Sequence, residues 1–503
     1  MKAKDSRILR KRKQNLRRRL ERRQWPAQSN PMFRARNIHY EMSDRVRAID
    51  CGALGGFHLL ARNTGLIREI DDRLQVLKRH LPYHESDHVL NIAYNTLTGG
   101  NCLDDIELRR NDEAYMDALG AERIPDPTTA GDFTRRFAEQ DVLDLMEAVN
   151  SIRPRMWKKG LKGSERKEAI LDVDGTLAST TGECKEGMGL AYNGVWGYHP
   201  LLVSLANTQE PLYLVNRSGN RPSHDCATEW LDRAVALAGQ SFERVCLRGD
   251  TDFALTANFD RWTEDGVRFA FGKDATKNLV DIAESLDKRR WRVLERRERL
   301  SESGQRRQRP VNVKEQIVVE KGYKNITLEK EHVAQFSYQP SQCSRPYRVI
   351  VLRKKLLVEQ GQMVLCDDVR YFFYITNIEE MSHAEVVSFC NDRCNQENLI
   401  EQLKNGLNAL RMPVGDLVSN WAYMVMSSLA WTLKAWFALL VRHAQRREEL
   451  LKMEFRRFLN TIVRLPTQIV RGGHRILYRI LGYNDWSRTF LETYDRIGQL
   501  RLA

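Results

Sequence analysis

In the segment CNDRCNQENLIEQLKNGL, residues 390 to 407, Arg393, Glu397, Ile400 and Lys404 recur at helical spacing, which sets one carboxylate between two cations on one face. A carboxylate so placed can hold a divalent metal while its neighbours hold a phosphate. Two earlier segments offer partners: AILDVDGTL, with Asp172 and Asp174, and ERVCLRGDTDF, with Asp250 and Asp252. Strand alternation in the first puts Ile170, Asp172 and Asp174 on one face and Leu171 and Val173 on the other. Asp174, followed by Gly175 and Thr176, stands where that strand should run out into a site, and Asp250 follows an apolar strand and a glycine. Three carboxylates around two magnesium or manganese ions can bind both the attacking and the leaving oxygen of an in-line phosphoryl displacement. The set points to a metal-dependent enzyme working on DNA.

The spacing Arg-x3-Glu-x6-Lys, after Asp-x-Thr and a second Asp, resembles the DDE transposases of bacterial insertion sequences. In that group the helix usually reads Tyr-x2-Arg-x3-Glu-x6-Lys, and here Cys390 takes the Tyr position. DPTTAGDFTRRF (126 to 137), YNGVWGYHPLLV (192 to 203) and NRSGN (216 to 220) resemble segments of one branch of the family in the same order, so the likeness covers most of residues 80 to 410. It implies that Asp174, Asp250 and Glu397 are the catalytic, metal-holding carboxylates, served by two Mg2+ or Mn2+ ions. Arg393 and Lys404 would hold a DNA phosphate, with Asp172 and Thr176 as supporting residues. The implied activity is cleavage of double-stranded DNA at terminal inverted repeats and strand transfer into a target, by a homodimer in a synaptic complex.

Two rival readings use the same residues. DVDGTL is close to the first motif of haloacid-dehalogenase-like phosphatases, in which Asp172 would be the nucleophile and Asp174 the acid or base. That reading leaves Glu397 and the basic segments without a role. The other is a catalytically inactive, transposase-derived DNA-binding protein, for which Cys390 is the main departure, although none of the three carboxylates is lost. Trp196, Trp262 and Trp291 are candidates for stacking on a base, against core packing as the ordinary fate of each.

The composition agrees with a polyanion partner. The 503 residues carry a formal net charge of +14, and phosphate neutralisation drives nucleic-acid binding. Residues 1 to 24 hold twelve Lys or Arg against Asp5 and Glu21, and KRRWRVLERRERL with QRRQR forms a second basic cluster over 288 to 309. At least one of these is expected to touch DNA, the alternative being solvated charged helices. Nine cysteines, with no Cys-x2-Cys pair and no signal peptide, indicate a reducing cytoplasm in which the protein is associated with DNA. LVSNWAYMVMSSLAWTLKAWFALLV, 417 to 441, is the one candidate membrane span. Lys434 and Asn420 interrupt it, so it reads as a buried helix against the catalytic sheet and no membrane partner is expected, a peripheral membrane role being the minor alternative.

The elements that must position these residues follow from periodicity. The fold class expected is α/β: a ribonuclease-H-like core interrupted by a mainly β insertion, with helical N-terminal and C-terminal regions. Residues 1–30 read as a basic arm, helical from Ile8 to Arg23. Residues 31–160 read as a helical DNA-binding domain, with Thr128 or Thr129 capping the AGDFTRRFAEQDVLDLMEAV helix. The core's first part spans 161–275, with strands near 169–178, 196–205, 211–216, 243–248 and 267–273, and a helix before the fourth. A basic and β-rich insertion covers 276–376, including EQIVVEKGY. The core's second part, 377–441, carries the Glu397 helix, and 442–503 reads as basic amphipathic helices broken around Pro466 and Gly472.

Overall fold

A computed structural model of the chain describes residues 2–20, 35, 38–41, 46–180, 182, 184–191, 194–294, 325–360, 363–472 and 475–501. Most of the basic stretch, 295–309, the segment EQIVVEKGY, and the part of the N-terminal arm beyond Leu20 lie outside these residues.

The N-terminal region is helical, as its 3.6-residue spacing requires. After a helix over Ala3–Leu20 and a short strand, β1 (Arg47–Ile49), come helices at Leu54–Asn63, Leu66–Arg73, Glu85–Leu97, Pro127–Thr134, Glu139–Asn150 and Arg153–Gly160, among shorter turns. The segment 130–149 is two helices, not one. Asp126, rather than Thr128 or Thr129, caps the first by accepting from the Thr129 amide at 2.8 Å and its hydroxyl at 3.0 Å. Pro127 follows as the first helical residue, where its missing N–H costs nothing.

The pattern changes to strands at Glu168. β2 (Glu168–Gly175), β3 (Ala178–Ser179), β4 (Gly189–Leu190), β5 (Trp196–Tyr198), β6 (Leu201–Leu205), β7 (Glu210–Val215), β8 (Arg244–Gly249) and β9 (Arg268–Lys273) follow, with a helix over Ala227–Gly239 ahead of β8. Next come β10 (Arg292–Val293) and three 14-residue strands, β11 (Asn325–Tyr338), β12 (Tyr347–Gln360) and β13 (Met363–Thr376). These join one nine-stranded sheet in the order β10-β11-β12-β13-β9-β8-β2-β6-β7. β8 runs parallel to both β2 and β9, while every other pairing in the sheet is antiparallel. The long strands therefore extend the sheet that carries Asp174, through the β13–β9 ladder, instead of folding apart from it.

The helix Leu417–Leu439 anchors the opposite edge. It is apolar on all sides, and a helix of that kind is stable only when surrounded. It packs against β7 and the Glu85–Leu97 helix and is buried over almost its whole length. Its indoles need acceptors once buried. Trp421 Nε1 donates to the Leu214 carbonyl at 2.5 Å, Trp431 Nε1 to Gln209 at 2.6 Å, and Trp436 Nε1 to Glu210 Oε1 at 3.0 Å. Glu210, fully buried, also accepts from Arg153, from Trp157 Nε1 at 2.7 Å and from Thr208 at 2.5 Å, so one carboxylate joins two helices to the sheet. Among the described residues no helix is long and apolar enough to cross a membrane.

The C-terminal region departs from the helical expectation. Helices at Ala444–Lys452 and Ser487–Gly498 flank a hairpin of β14 (Thr467–Gly472) and β15 (Arg475–Ile480). In TQIVRG the side chains of Thr467 and Ile469 are buried while their neighbours face outward, a period of two that suits a strand. β14 finds its second partner in β1 from the other end of the chain. The N-terminal helix meets this region too, with Arg12 donating to the carbonyls of Ile480 at 3.0 Å and Gly482 at 2.9 Å.

Candidate active site

Two adjacent parallel strands deliver two carboxylates to the same end of the sheet. β2 ends on Asp174 and Gly175, and β8 ends on Gly249, with Asp250 opening a short turn in which its Oδ1 accepts the Asp252 amide at 3.0 Å. The third carboxylate arrives from a helix. His383–Asn391 rises across the sheet, the chain turns at Asp392, and a second helix, Cys394–Glu401, carries Glu397. Arg393, at that turn, places Nη1 3.3 Å from Asp174 Oδ2 and 3.2 Å from Asp250 Oδ2, and Nη2 3.5 Å from Glu397 Oε1. Asp174, Asp250 and Glu397 thus converge on one cation.

Behind that cation the helix is fixed by Gln396. This side chain is buried and bonds to the Ser204 hydroxyl and to the Leu202 carbonyl at 3.3 Å, both on β6. With Gln396 turned into the sheet, Glu397 next to it must point away, and it is the most exposed member of the group at 59% of its side chain.

Burial is the largest influence on the two aspartates. It pushes Asp174 up to about 7, Arg393 opposing and Asp250 adding to the rise. Burial also raises Asp250, again against Arg393. Carboxylates pushed together in a partly buried place need positive charge, and a guanidinium now supplies it. Among the described residues no three His, Cys, Asp or Glu side chains are arranged to hold one metal ion while Arg393 stands between them. The donor set itself, three hard carboxylate oxygens already gathered on a cation, suits Mg2+ or Mn2+.

Over residues 50–502 the chain matches the family model described as transposase DDE domain group 1. The chain belongs to the DDE transposase family. No curated protein sequence matches it. Similar solved structures include a piggyBac transposase synaptic complex with hairpin DNA, at 10% identity and a TM-score of 0.33, covering 82% of this chain and 84% of that one.

Other residues singled out from the transposase sequence have different fates. Asp172 is sealed away from the site, 1% exposed, by a two-pronged pair with Arg248: Nε to Oδ1 at 2.6 Å and Nη2 to Oδ2 at 2.8 Å. Arg248 also donates to the Phe389 carbonyl at 2.6 Å, tying both strands to the helix that leads to Arg393. So enclosed, Asp172 has no approach for a substrate, and the phosphatase reading loses its nucleophile. Thr176, just past the end of β2, donates its amide to the Pro200 carbonyl at 2.9 Å. Lys404 sits on a π-helical turn, Gln402–Gly406, and burial lowers it, with Glu401 and Asp174 opposing.

Cys390 corrects the expectation of one continuous helix over 390–407. It belongs to the preceding helix and is buried among Cys246, Ala270, Ile350 and Val386. A single straight helix would set positions 390, 393 and 397 on one face. The turn at Asp392 separates them, so Cys390 packs into the core while Arg393 reaches the aspartates. Of the three tryptophans, Trp262 is core and donates to Asp232 at 2.9 Å, Trp291 lies under Arg353, and Trp196 is 56% exposed.

Sequence reasoning missed the residues packed against Gly175, the neighbour of Asp174. A Cβ on Gly175 would lie 2.8 Å from His199 Nε2 and 3.5 Å from Arg217 Nη2. Arg217 is buried and gathers the carbonyls of His199, Ser223 and Asp225 at 3.0, 3.0 and 2.7 Å. His199 and Arg217 belong to the GYHP and NRSGN segments, so the signal was present without a role attached to it.

Proposed function

We propose that Asp174, Asp250 and Glu397 are the catalytic and metal-holding carboxylates of a transposase. It would cut double-stranded DNA at the terminal inverted repeats of a bacterial insertion sequence and join the freed ends to a target. The convergence of all three on Arg393 is the observation that supports this reading. The strand order β9-β8-β2-β6-β7, with β2 antiparallel to β6 and parallel to β8, supports reading these five strands as a ribonuclease-H-like core. On that reading β11, β12 and β13 belong to an insertion between Asp250 and Glu397, after a helical DNA-binding region.

Two Mg2+ or Mn2+ ions, when bound, would supply charge at the attacking and leaving oxygens. The chain's own residues do the rest. Arg393 and Lys404 hold non-bridging oxygens of the scissile phosphate, Arg393 exchanging carboxylates for phosphate as substrate enters. Water attacks phosphorus, the bond to the 3′ oxygen breaks, and that oxygen leaves as a hydroxyl. The same hydroxyl then attacks a target phosphodiester and loses its proton, displacing the target's own 3′ oxygen. One phosphodiester bond is broken for each one formed, so strand transfer needs no external energy source and no covalent protein intermediate. Joining two ends at once calls for a homodimer in a synaptic complex.

The test is purified protein with a labelled element end and magnesium. Asp174→Asn, Asp250→Asn and Glu397→Gln should each abolish cleavage and strand transfer while the protein stays folded. Cleavage left intact by any of the three removes that residue from the set. The inactive DNA-binding alternative predicts no cleavage by the wild-type protein under any divalent ion.

A further inference from the structure

The sheet carries a second feature, far from the carboxylates, that the reaction as proposed leaves unused. A cleft of about 580 Å³ opens at its β10 edge, lined by Arg289, Arg290, Arg292, Gln335, Arg348 and His383 among others. Glu379 is the only acid on its wall among the described residues. Arg289, Arg290 and Arg292 are exposed, and among the described residues their side chains make no ion pair and no hydrogen bond. By contrast, Arg268 on β9 lies between Glu168 and Glu380, and Arg345, just ahead of β12, between Asp260 and Glu264. Three guanidinium groups within four residues, uncompensated among the described residues, repel one another, and an anion between them would remove that cost. The helix His383–Asn391 adds the positive end of its dipole at the same place, Ser382 capping it through the Glu385 amide at 3.3 Å. Burial, with Arg348 and Arg292 adding to it, holds His383 below the usual imidazole range, as a locally positive field requires.

The cleft also faces the right way. Arg292 pairs directly with Val333, whose side chain packs beneath Val386 and Val387 of that helix, so Arg292 shares the helix face of the sheet. Cys246 packs in the same cluster. Alternation from Cys246 to Arg248, across to its partner Asp172 and on to Asp174 keeps the carboxylates on that face as well. β10 and β8 are five strand spacings apart in the sheet order. At about 4.8 Å each this is roughly 24 Å, or about seven base pairs of duplex at about 3.4 Å per step.

We propose that Arg289, Arg290 and Arg292 form a phosphate clamp for duplex DNA, holding its backbone about seven base pairs from the bond cut at Asp174, Asp250 and Glu397. The charge contact stands on the cleft alone, and only its distance from the cut rests on the transposase reading. The two parts are tested separately. Affinity for a 30-base-pair duplex of arbitrary sequence (a length of about 30, near three helical turns) is measured against salt for the wild-type chain, for the triple variant Arg289→Ala, Arg290→Ala, Arg292→Ala, and for the same three positions changed to Lys. The alanine variant should bind at least about tenfold more weakly at low salt, with a salt slope shallower by about 2 to 3, near 0.9 for each phosphate left without its guanidinium. The lysine variant should keep most of the slope. An alanine variant that is folded, judged by circular dichroism and thermal midpoint, and keeps the wild-type slope would overturn the clamp, whatever the result of the cleavage assay. On an element end, neutral methylphosphonates about seven base pairs from the cut should weaken wild-type binding and not the variant's. Equal weakening of both would overturn the placement.

Discussion

Arg393 stands 3.2 Å from Asp250 and shares the same nitrogen with Asp174. One side chain therefore occupies the position that a divalent ion would need, and it is the residue assigned to a DNA phosphate. The two roles are successive in this account: Arg393 neutralises the carboxylates before substrate enters and moves to the phosphate afterwards. Arg393→Gln should bind Mn2+ more tightly than wild type by calorimetry at pH 8 without DNA, because no internal cation has to leave. The same variant should cut an element end about 100-fold more slowly, the usual scale for losing one charge-stabilising donor. Weaker Mn2+ binding in the variant would contradict the first role.

Metal affinity should depend on pH through Asp174. Burial raises this carboxyl to about 7 in the folded protein, against about 3.9 in an unfolded chain. The shift is upward, so the folded state holds the proton more firmly. Its contribution to stability is present at low pH and falls as pH rises through the interval from about 4 to about 7. A bound ion must displace that proton. Mn2+ affinity should therefore climb with pH up to about 7 and then level off, and Asp174→Asn should remove the climb.

Arg248 is predicted to be a positioning residue for the whole site. Its removal leaves Asp172 buried without a counter-ion, and Arg248→Ala should cost about 3–5 kcal/mol in chemical denaturation. Replacing both partners together, Asp172→Leu with Arg248→Met, should recover much of that loss because no buried charge remains. If the double variant is as unstable as the single one, the pair does not act as described.

Lys434 is buried inside the Leu417–Leu439 helix, and its partners among the described residues are the Leu451 carbonyl at 3.1 Å and the Trp431 ring at 3.5 Å. Burial pushes its ammonium well below the usual lysine range. An unfolded chain keeps that group protonated below about 10.4, so acidification from there works against the fold. Lys434→Met should raise stability by about 1 kcal/mol at neutral pH and flatten its alkaline dependence, as thermal melts across pH would show.

A close approach limits the residue after Asp174. Gly175→Ala would drive a methyl to 2.8 Å from His199 Nε2, and Arg217 behind it is held by several carbonyls and cannot retreat. The variant should lose about 1–3 kcal/mol of stability. Its cleavage should fall further than that of a variant matched in stability elsewhere, since the strand end carrying Asp174 is what moves.

Much of this arrangement was legible in the chain, for reasons visible in particular residues. Asp174 and Asp250 follow apolar runs that alternate as buried strands must, and Leu417 to Leu439 is too apolar on every side to be anything but enclosed. The Glu397 helix was legible only in part. A turn at Asp392 reassigns Cys390 to the core, because its burial partners Ile350 and Val386 come from segments whose approach no local spacing reveals. Asp172 read as a site neighbour because alternation puts it on the face of Asp174. That Arg248 lies opposite it is a matter of parallel register, which sequence does not carry. The β14–β15 hairpin was hidden by its arginines, which look amphipathic at either period, and by its dependence on β1 from the far end of the chain.

The most direct test of the central claim changes the ligand chemistry rather than removing it. A thiolate in place of a carboxylate disfavours magnesium and accepts softer manganese or cadmium. With Asp250→Cys, cleavage of a labelled element end should vanish in Mg2+ and return in part when Mn2+ or Cd2+ is supplied, while the wild-type protein works in Mg2+. Cleavage by Asp250→Cys in Mg2+ at the wild-type rate would contradict the assignment of this carboxylate to the metal.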